Sequence, residues 1–332
     1  MAAEPCPSRL LNHRDLVPEV GRQETGGRRV WVAFILLSVL WGMPYLLIKV
    51  AMYDVSPFFV AWSRVLAGAI LVAPLAWRAG ALKGLGRHWV AVLAYAGLEV
   101  AIPFVLIPVG EHWVASSLSA IIVSCMPLLV ALLALRLGPR EPLTVVRAVG
   151  LVIGLGGVLL MVGVHTAGSP LTLLGIGCIV VATICYAASP LIVASYLREL
   201  HPLGPIAAAL AASAIGLTPF AALTWPTTVP SVATWAAIGG LGTLCTGAAL
   251  ALYFYLVAKA GPGRASVVTY LNPAVAIVLG IVVLGESVSI LTFAGLVLIL
   301  AGSWLSTDGR LRSTSIRAVQ ILTRHWGNLS HA

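Results

Sequence analysis

The sequence predicts an all-α membrane protein: ten transmembrane helices arranged as two inverted five-helix repeats, with both termini cytoplasmic. Three observations predict it. Apolar runs long enough to cross a bilayer follow one another along a chain that is 60% hydrophobic and 9% charged. Lys and Arg fall almost entirely into alternate loops. Shifted by about 145 residues, the chain overlays on itself.

A typical soluble domain carries about 25% charged residues. A chain this poor in charge cannot hide its apolar surface from water and needs lipid as its solvent. A transmembrane helix takes about 20 apolar residues at about 1.5 Å each. Only helices and closed barrels can span, because every backbone polar group must be satisfied internally. Barrel strands would alternate every second residue, and these runs are continuous.

The elements are bounded by breaks that carry charge, Pro or Gly. Residues 1–29 are polar and Arg-rich, with Pro7 and Pro18, and lack the apolar core of a cleaved signal peptide. They read as a cytoplasmic tail, and the first span, 30–51, as an uncleaved insertion signal. The second span, 57–77, starts at Pro57 and stops before a loop holding Arg78, Lys83 and Arg87. The third and fourth, 89–110 and 113–135, precede Arg136 and Arg140. The fifth, 143–163, completes a first repeat over 30–163. The sixth, 170–195, stops before Arg198, and the seventh is 203–225. The eighth, 232–258, stops before Lys259 and Arg264. The ninth and tenth, 265–284 and 288–306, close a second repeat over 170–306, followed by a cytoplasmic tail at 307–332.

Of the 20 Lys and Arg residues, 18 fall on one side of this layout, counting Arg147 at the start of the fifth span with the fourth loop region, and the other two, Lys49 and Arg64, lie deeper within spans. Excess Lys and Arg marks the cytoplasmic side. The net charge of +9 is therefore topological and implies no nucleic-acid partner. In the shifted overlay, Trp41-Gly42 falls on Tyr186-Ala187, Pro57 on Pro202 and Pro74 on Pro219. Glu141 falls on Glu286, Gly150 on Gly295 and Gly157 on Gly302. A unit of five spans is odd, so its second copy starts from the opposite face. Inverted repeats of this kind point to secondary transport, with a substrate site near the midplane.

The stretch "LWGMPYLLIKVA" (40–51), then Pro57 and Arg64, resembles the drug/metabolite transporter superfamily, in its EamA-type branch. So do the closing segments "MPLLVALLALRLGPREPLTVVRAVGLVIGLGGVLL" (126–160) and "NPAVAIVLGIVVLGESVSILTFAGLVLILAGSWL" (272–305). The resemblance covers roughly residues 30–306, although the first half reads LGPRE where the pattern has LGE. It implies export of small metabolites, such as amino acids, or of drugs.

Glu99 is the outstanding candidate residue. It sits ten residues into its span and eleven from the end, about 15 Å from either edge. An ionised side chain there costs at least about 2.5–3.5 kcal/mol. Desolvation disfavours the charged form, which makes such a carboxyl a candidate proton carrier. Tyr95 and Pro103 lie one turn to either side on its face. Arg64 enters seven residues from the outer end of its span, and its expected partners are Glu99, a substrate carboxylate or the outer surface. Trp41, Tyr45 and Lys49 form one stripe at i, i+4 and i+8, with Lys49 expected to snorkel outward. Trp41 and Tyr186 are expected either to wall a central cavity from opposite sides or to serve as plain helix packing. Pro44 and Pro190 are placed to bend their helices. Tyr270 and Asn272 precede Pro273, whose missing N–H frees a carbonyl one turn back for substrate.

Other signals fit packing. Gly150 and Gly154 form a GxxxG pair for helix contact. There is no P-loop, HExxH or GxSxG, and the five cysteines form no CxxC or Cys/His cluster. Neither a cofactor nor a metal is expected. The tail segment 315–326 reads either as an interfacial helix or as disordered chain.

The expected protein is a multi-pass secondary transporter of the plasma (inner) membrane, working by alternating access on a small-molecule substrate, with proton coupling at Glu99. Two alternatives are an intramembrane lipid-modifying enzyme and a passive small-solute channel. The scatter of the seven His residues over both sides and the tails speaks against the enzyme.

Overall fold

The structure, a computed structural model, describes residues 28–137, 144–165, 169–260 and 268–306. Among these residues every regular element is helical. In chain order they are α1 (Arg29–Ala51), α2 (Pro57–Arg78), α3 (Leu85–Glu111), α4 (Ser116–Leu133) and α5 (Val145–Leu160). Then follow α6 (Pro170–Leu197), α7 (Leu203–Leu223), α8 (Val232–Val257), α9 (Val268–Leu284) and α10 (Ile290–Ser306). Seven of them, α1–α4 and α6–α8, are long and apolar enough to cross a membrane, while α5, α9 and α10 are shorter apolar helices. The helix of α5 itself continues to His165.

The observed bounds lie close to the expected ones, with α3 beginning earlier because a 3₁₀ turn over Leu85–His88 leads into it. The expected tails, the charged loop at 138–143 and the segment 315–326 lie outside the described residues. Local chemistry sets several helix starts. Ser56, Ser169 and Ser231 accept hydrogen bonds from the N–H groups of Phe59, Leu171 and Thr234 at 3.2, 3.2 and 3.3 Å. Each cap is worth about 1 kcal/mol. Pro57 and Pro170 follow two of these caps, at the position where a missing N–H costs nothing.

The packing has an internal regularity. α1 packs on α9 and α8, α6 packs on α4 and α3, and α2 packs on both α7 and α8. α7 packs on α3 as well. Replacing each helix by its counterpart five places away maps α1–α9 onto α6–α4, α1–α8 onto α6–α3, and α2–α8 onto α7–α3. The contact of α5 with α10 does the same at single residues. A Cβ on Gly150 would lie 2.9 Å from the Gly302 carbonyl, and one on Gly157 would lie 2.8 Å from the Gly295 carbonyl. The overlay pairs Gly150 with Gly295 and Gly157 with Gly302, so one contact is the image of the other. The GxxxG residues thus bring two backbones together, as small residues do where lipid supplies no hydrophobic drive between helices.

Candidate functional site

Three helices are locally unwound where polar side chains gather. Ala96–Ala101 in α3, Val193–Leu197 in α6 and Gly240–Ala248 in α8 are π-helical. In α3 the Ile102 N–H reaches back five residues to the Gly97 carbonyl. Pro103 removes the donor that would otherwise close on Glu99. Ser213 of α7 donates to the Ala96 carbonyl at the start of this segment at 3.3 Å. Such π-bulges recur at functional sites.

Glu99 stands on the α3 π-segment and is half-buried. Ser189 of α6, itself buried, donates its hydroxyl to Glu99 Oε2. Tyr95, Tyr186 and Tyr253 lie within electrostatic reach of this carboxylate. Trp41 joins the group through Tyr253, ring to ring at 5.2 Å.

Arg64 is buried on α2, and it does not pair with Glu99. Its guanidinium carbon stands 3.8 Å above the Phe104 ring, and Nε donates to Thr246 Oγ1 at 3.5 Å, at the long limit of a hydrogen bond. The physical reason is rotation of the helices. The π-segment of α8 turns Thr246 toward Arg64, and the residue five past Glu99 is an aromatic that covers the cation. Away from water that contact is worth about 2 kcal/mol. Among the described residues no other hydrogen bond engages the guanidinium. Tyr45, Tyr186, Cys245 and Glu111 lie within its electrostatic reach.

Lys49 is half-buried. Its ammonium donates to the backbone carbonyl of Glu111, at the end of α3. Tyr45, on the same stripe, is buried within reach of Tyr186, Glu111 and Arg64. Asn272 belongs to the α1–α9 contact, where a Cβ on Gly42 would lie 2.9 Å from its carbonyl, and its Oδ1 is buried without a hydrogen-bond partner. Tyr270 is half-buried on the same helix. The structure thus gathers Glu99, Tyr95, Tyr186, Arg64 and Tyr45 around α3, adds Trp41 at one remove, and places Asn272 in a separate helix contact.

Sequence reasoning missed Ser189, Thr246, Phe104, Tyr253 and Glu111. Ser189 sits just before Pro190 and Thr246 lies in a Gly-rich apolar run, so position alone marks neither. Glu111 carried a signal, as an acid closing an apolar span.

Two further acids, both outside the spans, tie loops to helix starts. Asp54 accepts from the Ser231 N–H at 2.8 Å and the Thr234 hydroxyl at 2.5 Å. Hydrogen bonds from Ser231 and Thr234 hold its carboxyl below the ordinary value. Glu286 accepts from the Ser116 and Ser117 N–H groups at 2.7 and 3.0 Å. Partial burial pushes its carboxyl up, but the hydrogen bonds from Ser117 and Ser116 outweigh burial, and the net position is below the ordinary value.

A shallow, open groove of about 580 Å³ lies away from these groups and is lined by Arg29, Val32, Ala33, Leu36, Leu252 and Tyr255 at the α1–α8 contact.

Comparison with known proteins adds the following. The model of the EamA-like transporter family matches residues 29–163 and again 173–307. The uncharacterized inner membrane transporter YedA of Escherichia coli (strain K12) is 28% identical over 285 residues, covering 84% of this chain and 90% of its own length. An uncharacterized transporter of Archaeoglobus fulgidus is 25% identical, covering 83% of this chain and 97% of its own. The WAT1-related protein At3g02690, chloroplastic, of Arabidopsis thaliana is 26% identical, covering 83% of this chain and 68% of its own. A solved crystal structure superposes with a TM-score of 0.61 over 86% of this chain and 99% of its own, and at 18% identity this likeness concerns the fold.

Proposed function

Since the chain belongs to the EamA-like transporter family, we propose that it is a secondary transporter that exports small metabolites, such as amino acids, or drugs by alternating access. It is a multi-pass transporter of the plasma membrane. In the proposed architecture ten spans form two inverted five-helix repeats, 30–163 and 170–306, with both tails cytoplasmic. The two matches of one family model and the mapping of helix contacts onto their counterparts support this architecture.

The observation that carries the functional reading is the partial commitment of two charges within the spans. Glu99 has one hydrogen bond, from Ser189, and Arg64 has one weak hydrogen bond and an aromatic face. A charge kept this deep is expensive unless it is used. Glu99 takes the role of proton carrier. Arg64 offers unengaged donors to an anionic group such as a carboxylate. Tyr95, Tyr186, Tyr45 and Trp41 stand around these two charges as substrate contacts, and Tyr270 and Asn272 are proposed as further contacts from α9.

A difference between two equivalent crossings supports alternation. At the α3–α6 crossing Gly110 and Gly175 meet, each added Cβ falling 2.7 or 2.8 Å from the other's carbonyl. A shift of 145 carries these positions to Tyr255 and Val30. There Tyr255 lines the 580 Å³ groove, beside a packed α1–α8 contact in which Ala33, Leu37 and Leu256 are buried. Two near-equivalent halves that differ in this way are what rocking between two states requires.

The test is a metabolite screen in vesicles, with and without a pH gradient, comparing wild type with Glu99→Gln. The expected result is saturable flux with counterflow that follows the gradient in wild type and loses this dependence in the variant. Uptake of every responsive solute that ignores both the gradient and the substitution would overturn the coupling role of Glu99.

A further inference from the structure

Glu111 ends α3 with 0% of its surface exposed, and neither carboxyl oxygen has a hydrogen-bond partner. The side chains around it, Lys49 and Ser119 among them, act on the carboxyl without closing a hydrogen bond or ion pair to it. From α1, the Lys49 ammonium donates to the Glu111 backbone carbonyl and lies within electrostatic reach of the carboxyl without a direct ion pair. Tyr45, also from α1, and Arg64 from α2 are within electrostatic reach without bonding to it. From α4, Ser119 turns its hydroxyl to the Ala115 carbonyl at 3.2 Å. Glu286, following α9, adds a second negative charge and spends both oxygens on Ser116 and Ser117. From α6, the neighbours of adjacent Gly110 are Gly175 and Ile179, which carry no charge. His112, next in the chain, stacks edge-on with Trp113 at 5.3 Å.

An ionised carboxylate here would be cut off from water and without a direct ion pair, with the nearby Lys49 charge opposed by that of Glu286. A neutral carboxyl fits the niche. We propose that Glu111 is a second proton-binding site of the transporter, sealed from the outer solution in this conformation and reloaded when the outer ends of α3, α4 and α6 part. The proposal rests on the transporter reading and on its orientation, and it adds a carboxyl twelve residues from Glu99, about 18 Å along the helix. Two contacts beside Glu111 form the seal: the Gly110–Gly175 crossing and the Glu286 cap on α4. On opening, the carboxyl gives one proton to outer water and becomes a carboxylate. On reloading it takes one back and returns to zero charge before the seal closes.

The test needs no knowledge of the substrate, because the probe is the proton. Infrared difference spectra of the full-length protein in lipid nanodiscs would follow the C=O stretch of protonated carboxyls across a pH titration. Wild type, Glu111→Gln, Glu99→Gln and the double variant would be compared. The expected result is one band lost in Glu111→Gln, a different one lost in Glu99→Gln, and both lost together. Spectra of folded Glu111→Gln identical to wild type would overturn the proposal, and so would sodium displacing the Glu111 band at constant pH. A spectrum in which only the Glu99 band is absent would sink the coupling role of Glu99 and leave Glu111 standing. If Glu111→Gln does not fold, Glu111→Asp keeps the group. A shifted band then supports the site, and an unshifted one overturns it.

Discussion

Arg64 and Glu99 are opposite charges inside neighbouring spans, and they do not meet. Arg64 is screened by Phe104 and touched by Thr246, while Glu99 is touched by Ser189. Keeping them apart leaves each available, whereas a closed ion pair would neutralise both and offer nothing to a substrate or a proton. Asp54 shows the opposite arrangement, a carboxylate whose Oδ2 is engaged twice in holding a helix start. Its pKa is depressed by Ser231 and Thr234, so the bond stabilises at every pH above the ordinary carboxylate value of 3.8. That contribution fades as pH falls below 3.8 and through the depressed value. Protection of the amides at the start of α8, corrected for the intrinsic pH dependence of exchange, should therefore be high at neutral pH and fall in acid. Asp54→Asn should already exchange fast at neutral pH, and equal rates in the two proteins would remove the latch.

At the scale of elements, small residues decide how closely helices approach. On Gly302 an added Cβ would fall 2.5 Å from the Gly150 carbonyl and 2.6 Å from the Gly154 Cα. Gly302→Ala should lower the melting temperature in detergent, by overpacking worth about 1–3 kcal/mol. Gly156 lies on the same α5 helix with nothing within 4 Å, so Gly156→Ala should leave the melting temperature unchanged or slightly higher. Equal losses for both would show that the loss comes from elsewhere than the α5–α10 contact. The π-segments act by a different route. One extra residue per turn swings the side chains that follow, which is how α3 aims Glu99 at Ser189 and α8 aims Thr246 at Arg64.

For the whole molecule, the proposed inverted repeat makes a prediction about sides. On a background with the native cysteines replaced, Ser8→Cys and Ser169→Cys would be exposed in turn to a membrane-impermeant thiol reagent in intact cells. The expected outcome is labelling at 169 and protection at 8. Labelling of both, or of neither, would place the two sites on one face and end the inverted-repeat architecture, along with any pocket placed on its axis.

The lipid solvent, the succession of apolar spans and the resemblance to a transporter family were legible along the chain, because each depends on quantities that add residue by residue. Apolar length, the cost of a charge in hydrocarbon and the bias of Lys and Arg toward one side need no knowledge of what a helix touches. Glu99 stood out for the same reason. The partners of these residues were decided only by packing: Phe104 over Arg64, Ser189 on Glu99, Lys49 at a backbone carbonyl, and Glu111 buried without a direct ion pair. Which face of a helix meets which neighbour depends on its rotation, and that rotation is set by π-turns, prolines and glycine contacts made with segments a hundred or more residues away.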